Sequence, residues 1–188
     1  MKQIKKLSIL VLLCTVMVAC TPKDIIKPEE PTNDPVEVVE TDTGANTNPL
    51  KSFTGPDGNT YYDICCNPDD LDNSQSLLSQ RVIYFSYDQA TVESNYRDLI
   101  AIHAKYLSQN PSARMVLEGH ADERGTPEYN LALGEKRGNS VTNLLRAQGA
   151  STGQISVVSF GEEKPVALCN DDSCWSQNRR VRIVYTSK

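Results

Sequence analysis

Hydrophobic and polar residues follow two distinct periods from Arg81 to the end of the chain. Four short runs rich in β-branched and aromatic residues predict strands: "RVIYF", "ARMVLEG", "QISVVSFG" and "RRVRIVY". Apolar residues recur at helical spacing between the first two runs, from Val92 to Leu107, and again between the second and third. The predicted order β-α-β-α-β-β indicates the α/β class, a sandwich of one mixed sheet with helices packed on one face.

Capping and stop signals bound the two predicted helices. Thr91 can cap the start of the first helix, and Pro111 ends it. Pro127 follows Thr126 and suits the first turn of the second helix, which Gly149 ends.

The apolar stripe of the second helix contains unusual members. At 100° per residue it holds Asn130, Leu133, Gly134, Arg137, Val141 and Leu144. Gly134 and Gly138 each cost about 1 kcal/mol relative to alanine within a helix, which suggests close contact with another backbone. A desolvated Arg137 needs a carboxylate, either from a ligand or from Asp122 or Asp88, which would then staple helix to loop.

The N-terminal part of the chain is built differently. Residues 1–19 contain three lysines, no acid and an apolar run, which predicts a secretory signal peptide. The signal ends in "MVAC", which resembles a bacterial lipobox, and this resemblance implies that Cys20 is acylated and anchored in the outer membrane. Residues 20–50 are acidic, rich in proline and free of aromatic residues, as in a flexible tether. Residues 51–79 remain ambiguous and could be an appendage that folds onto the main domain at residues 80–188.

Charge excludes one class of partner. Without the signal peptide, 16 basic residues face 24 acidic ones, a formal charge of −8. Such a protein is a poor candidate for binding nucleic acid through phosphates.

Four cysteines follow the signal and the lipobox: Cys65, Cys66, Cys169 and Cys174. An even number in an exported chain suggests disulfides, and "CNDDSC" would close a small loop between Cys169 and Cys174. Zinc is the alternative, but the spacing is unusual for zinc ligands and no histidine is near. Adjacent cysteines bridge each other only with strain, which leaves a partner chain open for Cys65 and Cys66.

The stretch "GHADERGTPEYNLALGEKRGNSV", residues 119–141, resembles the signature of the OmpA-like peptidoglycan-binding domain family, including the lipoproteins of the Tol system. The resemblance extends over about residues 81–188 and includes "VIYFSYD", "ISVVSFGEEKP" and "NRRVRIVY". It implies a non-catalytic outer-membrane lipoprotein without cofactors. Its partners would be the meso-diaminopimelate stem peptide of peptidoglycan and a periplasmic β-propeller protein of the Tol system.

The same resemblance assigns roles to individual residues. Asp122 matches the aspartate that binds the ammonium group of diaminopimelate, and Arg137 matches the arginine that binds its carboxylate. A planar guanidinium can take a carboxylate with two parallel hydrogen bonds, which lysine cannot reproduce. Five further positions match residues that line the pocket: Tyr87, Asp88, Arg124, Thr126 and Leu133. Asn130 matches a structural residue, and Ser86 departs from the family pattern, which has an acid there.

Two rival interpretations fit parts of the same pattern. His120, Asp122 and Glu123 could suggest a metal site or a hydrolase, but a catalytic metal usually has three protein ligands and only two are evident. Alternatively, an OmpA-like lipoprotein could anchor a secretion or motility apparatus to the wall, with residues 51–79 as the docking element.

Overall fold

Six strands form two sheets in the computed structural model, which describes residues 50–188. The predicted signal peptide, Cys20 and nearly all of the tether lie outside these residues. The strands are β1 (Ser52–Thr54), β2 (Thr60–Tyr62), β3 (Val82–Tyr84), β4 (Arg114–His120), β5 (Ile155–Gly161) and β6 (Arg180–Ser187).

The four strands predicted from the sequence hydrogen-bond into one mixed sheet of order β3-β6-β4-β5. The pair β4–β5 is parallel, whereas β6 runs antiparallel to both of its neighbours. The α/β class and the mixed sheet are therefore confirmed, while strands β1 and β2 form a separate antiparallel hairpin that the periodicity did not reveal.

Three α-helices lie within residues 50–188: α1 (Arg97–Gln109), α2 (Pro127–Ala147) and α3 (Asp172–Asn178). The bounds of α2 agree with the prediction, and the Thr126 hydroxyl accepts a hydrogen bond from the Tyr129 N–H as its cap. None of these helices is long and apolar enough to cross a bilayer.

The predicted cap of α1 is wrong. Glu93 has an extended backbone, and a 3-10 turn at Ser94–Tyr96 leads into a helix that begins only at Arg97. Thr91 therefore lies too far upstream to accept from the first turn. Helix α3 was missed because "DSCWSQN" is short and has no apolar period.

Helices α1 and α2 bury their apolar faces on the side of the sheet that carries Leu117, Val181 and Ile183. Leu145 is fully buried in this core, whereas the predicted core residue Leu144 is 37% exposed. The buried stripe on α2 is therefore rotated slightly relative to the stripe predicted at 100° per residue.

Glycines allow α2 to touch the sheet backbone directly. A Cβ at Gly134 would lie 2.9 Å from the Gly119 carbonyl oxygen and closer still to the Ser159 hydroxyl. A Cβ at Gly138 would lie 2.5 Å from Val157. The predicted close approach at Gly134 and Gly138 thus occurs, and it sets how deeply the start of α2 sits on the ends of β4 and β5.

Residues 50–79 pack into the same core as the rest of the domain. Leu71, Leu77 and Leu78 are each at most 1% exposed and belong to one hydrophobic cluster with the helices and the sheet. The segment is thus folded onto the main domain, which is one of the possibilities that the sequence left open. Within it, a disulfide joins Cys65 to Cys66.

His103 of α1 connects the residue just after this segment to the sheet. Its ring nitrogens lie 2.9 Å from the Gln80 carbonyl oxygen and 2.9 Å from the Tyr185 hydroxyl. Burial lowers the pKa of His103 to about 4, so the ring is neutral at pH 7 and can donate to the carbonyl and accept from the hydroxyl.

Gly134→Ala should lower the free energy of unfolding by about 1–3 kcal/mol, because the added methyl group has no room between α2 and β4. Gly153→Ala is the matched control, since nothing lies within 4 Å of the place that its methyl group would occupy, and it should change stability by less than about 0.5 kcal/mol. Urea denaturation of both variants measures the difference. Equal stability of the two would contradict the close packing of α2 on the sheet.

Candidate functional site

Arg137 projects from α2 toward the carboxyl-terminal ends of β3 and β4 and is fully buried. Its guanidinium lies 5.2 Å from the centre of the Phe85 ring. Burial lowers its pKa to about 10, which leaves the group protonated at neutral pH.

Backbone carbonyls bind this arginine. Its Nη1 donates to the His120 carbonyl over 2.7 Å, its Nε to Gln89 over 2.8 Å and its Nη2 to Ser86 over 3.3 Å. Of the two expected carboxylate sources, pairing with Asp122 or Asp88 is wrong, because among the described residues neither forms an ion pair with Arg137 and three carbonyls accept from it instead. A ligand carboxylate stays a prediction. Two of its five N–H groups have no partner among the described residues.

Asp122 lies two residues after the end of β4 and is 4% exposed. Its Oδ1 accepts from the backbone N–H and from Nε of Arg124, and its Oδ2 accepts from Arg124 Nη2 over 2.7 Å. A second guanidinium, that of Arg179, lies 3.4 Å from Oδ2. Burial acts to raise the pKa of Asp122, but the hydrogen bonds and charge of Arg124 outweigh it, so the pKa is lowered and the group stays ionised.

The Arg124 side chain is held between two aromatic rings. Its guanidinium carbon lies 4.0 Å from the centre of the Tyr87 ring and 4.1 Å from that of Trp175. Cation–π attraction on both faces adds to its ion pair with Asp122. Trp175 is positioned in turn by α3 and by a hydrogen bond of 3.2 Å from its indole N–H to Glu123.

Asp122 and Arg137 line one cleft, together with Arg124. The remaining free volume is about 20 Å³, room for about one water molecule. The opposite charges thus converge as the sequence predicts, without a direct ion pair between them among the described residues.

The other predicted pocket residues also surround this cleft, with one exception. Tyr87, Asp88, Arg124 and Leu133 line it, whereas Thr126 does not and serves as the cap of α2. Tyr87 is 58% exposed at the rim, and the Asp88 carboxylate accepts a hydrogen bond from the Tyr129 hydroxyl. Asp88 adopts a left-handed backbone, with φ at 54°, that aspartate tolerates better than most residues.

Asn130 is buried at the base of the cleft. Its side-chain amide donates to the Arg124 carbonyl over 3.2 Å and to the Glu162 carboxylate. It thus ties the loop that carries Arg124 to α2 and to the turn after β5.

Two residues near the cleft escaped prediction from the sequence. Glu93 places a carboxylate 3.0 Å from the Ser86 hydroxyl, so an acid stands close to the position where Ser86 departs from the family pattern. Trp175 lies in α3 next to Cys174, which a disulfide joins to Cys169, with the two Cα atoms 5.5 Å apart. Only the aromatic character of Trp175, one residue after a cysteine, could have signalled its role.

His120 does not join Asp122 in a metal site. Its ring stacks on Phe160 with centroids 5.5 Å apart, and burial lowers its pKa to about 4. Within residues 50–188, no group of three or more histidine, cysteine, aspartate or glutamate side chains could hold a metal ion.

Comparison with known proteins identifies the family. The sequence model of the OmpA family matches residues 84–180, which is more than half of the chain. This chain belongs to the OmpA family. The match spans the end of β3 to the start of β6 and so includes both Asp122 and Arg137.

Individual OmpA-family relatives agree with this assignment. The peptidoglycan-associated lipoprotein of Pasteurella multocida is 44% identical over 110 residues, which are 57% of this chain and 73% of the relative. The crystal structure of the peptidoglycan-associated lipoprotein from Burkholderia pseudomallei is 44% identical, with a TM-score of 0.62 over 63% of this chain and all of that one.

A more distant structure shows the fold alone. The C-terminal domain of Helicobacter pylori MotB is 19% identical, with a TM-score of 0.53 over 58% of this chain and 85% of that one.

Arg137→Lys should lower the free energy of unfolding by about 1–3 kcal/mol. Lysine presents one ammonium group on a longer stem and cannot meet carbonyls from three segments in the geometry of a planar guanidinium. Thermal and urea denaturation measure the loss. The control is Lys136→Arg, one residue earlier on the exposed face of α2, which should leave the stability unchanged. Unchanged stability of Arg137→Lys would contradict the role of the guanidinium in binding these carbonyls.

Proposed function

We propose that this chain is an outer-membrane lipoprotein that binds peptidoglycan non-covalently, through the diaminopimelate of its stem peptide, as part of the Tol–Pal system. The single observation that carries the proposal is the convergence of Asp122 and Arg137 on one cleft. The free end of diaminopimelate is a zwitterion with an ammonium and a carboxylate on the same carbon. One fixed anion and one fixed cation at the two sides of a cleft complement these two charges.

Arg137 is suited to the carboxylate end of this ligand. Its backbone partners hold the guanidinium in place and use three of its N–H groups, so the remaining two can meet a carboxylate. Because the group is already desolvated and oriented, little further ordering is needed on binding.

Asp122 is suited to the ammonium end, but Arg124 stands in the way. The ligand ammonium must take over carboxylate oxygens that now accept from Arg124. The exchange replaces one cation with another, so Asp122 is never left buried and unpaired. The net affinity of one domain is then modest, and many such contacts along one cell wall add avidity.

The N-terminal segment provides the membrane side of the proposed tether. The sequence pattern supports acylation of Cys20, and residues 20–50 would span the distance between the outer membrane and the wall. More than one acyl chain is needed for a stable anchor.

The partner in the Tol system is the least direct part of the proposal. A periplasmic β-propeller protein would compete with the wall for the surface around the cleft. Support comes from the family and from the 44% identity to peptidoglycan-associated lipoproteins. Anchoring of a motility or secretion apparatus is less favoured, because the relatives at 44% identity are peptidoglycan-associated lipoproteins.

Asp122→Asn should reduce binding to purified sacculi by about 10- to 100-fold, since it removes the charge that holds the ligand ammonium. Co-sedimentation measures the binding, with free diaminopimelate as the competitor. Sacculi whose stem peptides carry lysine instead of diaminopimelate serve as a second ligand. The control is Glu163→Gln, which removes an exposed charge outside the cleft. Unchanged binding by folded Asp122→Asn, or binding that free diaminopimelate does not compete, would refute the proposed site.

Cys20→Ser should move the protein from the membrane fraction to the soluble periplasmic fraction and abolish metabolic labelling with palmitate. Cys14→Ser is the matched control, since Cys14 lies within the predicted signal and should leave both properties unchanged. Retention of the Cys20→Ser protein in the membrane would contradict acylation at this residue.

A further inference from the structure

A second, wider groove lies beside the cleft, with a volume of about 610 Å³. Tyr84, Ser86 and Glu93 line it from β3 and the segment after β3, Ser176 and Gln177 line it from α3, and Arg179 lines it from the residue before β6. A groove of this size is typical of sites for ligands of a few hundred daltons.

The groove and the cleft share their boundary. Arg179 lines the groove and contacts Asp122 at 3.4 Å, while the Ser86 carbonyl accepts from Arg137. Asp122 and Arg137 are thus each one contact away from the groove. A ligand that extends beyond its zwitterionic end would have only this shared boundary to cross.

The cation of the groove is already paired. The Arg179 guanidinium contacts the carboxylates of Asp122 and Asp172, while the Glu93 carboxylate accepts a hydrogen bond from the Ser86 hydroxyl. This pattern disfavours an acidic ligand and leaves Glu93 as an acceptor for hydrogen-bond donors of a ligand.

Its polar groups suit hydroxyls. Glu93 can accept, while Ser86, Ser176 and Gln177 can each donate and accept, as a sugar hydroxyl does. Tyr84 adds an aromatic ring that is 42% exposed, and its hydroxyl has no partner among the described residues. An exposed ring can pack against the C–H face of a pyranose while polar neighbours bind its hydroxyl rim.

We propose that this groove is a saccharide subsite for the glycan strand to which the stem peptide is attached. The inference rests on the proposed function, since it assumes that the stem occupies the adjacent cleft. Diaminopimelate is the third residue of the stem, so two residues separate it from the sugar. An extended dipeptide covers about 7 Å, and the carbon chain of diaminopimelate adds to this reach between two sites with a common wall.

The test compares two ligands with the same stem, a disaccharide-tripeptide that ends in diaminopimelate and the tripeptide alone. Calorimetry on the full folded domain should show the disaccharide form binding about five- to tenfold more tightly. Tyr84→Ala should bring this ratio to about one and leave the affinity for the tripeptide unchanged. Tyr84→Phe should keep most of the ratio, because it preserves the ring.

Val158→Ala is the matched control, since Val158 is also 42% exposed but lies on β5, outside the groove. Equal affinity of the wild type for both ligands would overturn the saccharide subsite. Equal weakening of both ligands by Tyr84→Ala would also overturn it, since the groove would then hold peptide. If the wild type binds neither ligand, the proposed function itself fails.

Discussion

The buried guanidinium of Arg137 is the interaction on which the site depends. It donates hydrogen bonds to carbonyls at the end of β4, in the turn after β3 and in the loop that follows that turn. A buried cation without such partners would cost several kcal/mol, so these segments must converge for the domain to fold around it. The same hydrogen bonds fix the direction of the remaining N–H groups. Structural support and the proposed ligand recognition would therefore be two consequences of one placement.

On the opposite side of the cleft, the charge of Asp122 is compensated by a charged side chain. Asp122 is already paired, and its partner Arg124 is held by two aromatic rings, one of them brought in by α3. In the proposed function, a ligand ammonium would therefore compete with an internal cation instead of meeting a bare carboxylate. The buried charge would stay compensated throughout, and the affinity would be a difference between two similar interactions. For the proposed tether, with many copies on one polymer, weak and reversible contacts would be sufficient.

Part of the site could be predicted because the relevant residues are close in sequence. Asp122, Arg124 and Arg137 lie within one motif, where a strand end, a turn and a helix are read from period and capping signals. Glu93 and Trp175 could not be predicted in the same way, because they come from a loop before α1 and from a short helix before β6. Only the pairing of β3 with β6 brings these distant segments to the same edge.

Local sequence determined the α/β class, the bounds of α2 and the need for close packing at Gly134, since each depends on spacing within one element. Tertiary structure decided the strand order, the inclusion of residues 50–79 in the core and the partners of Arg137. The physical reason is that hydrophobic period reports which face of an element is buried but not what covers it. A buried arginine could be recognised from its position on an apolar stripe, but the carbonyls that satisfy it belong to backbone with no signature of its own.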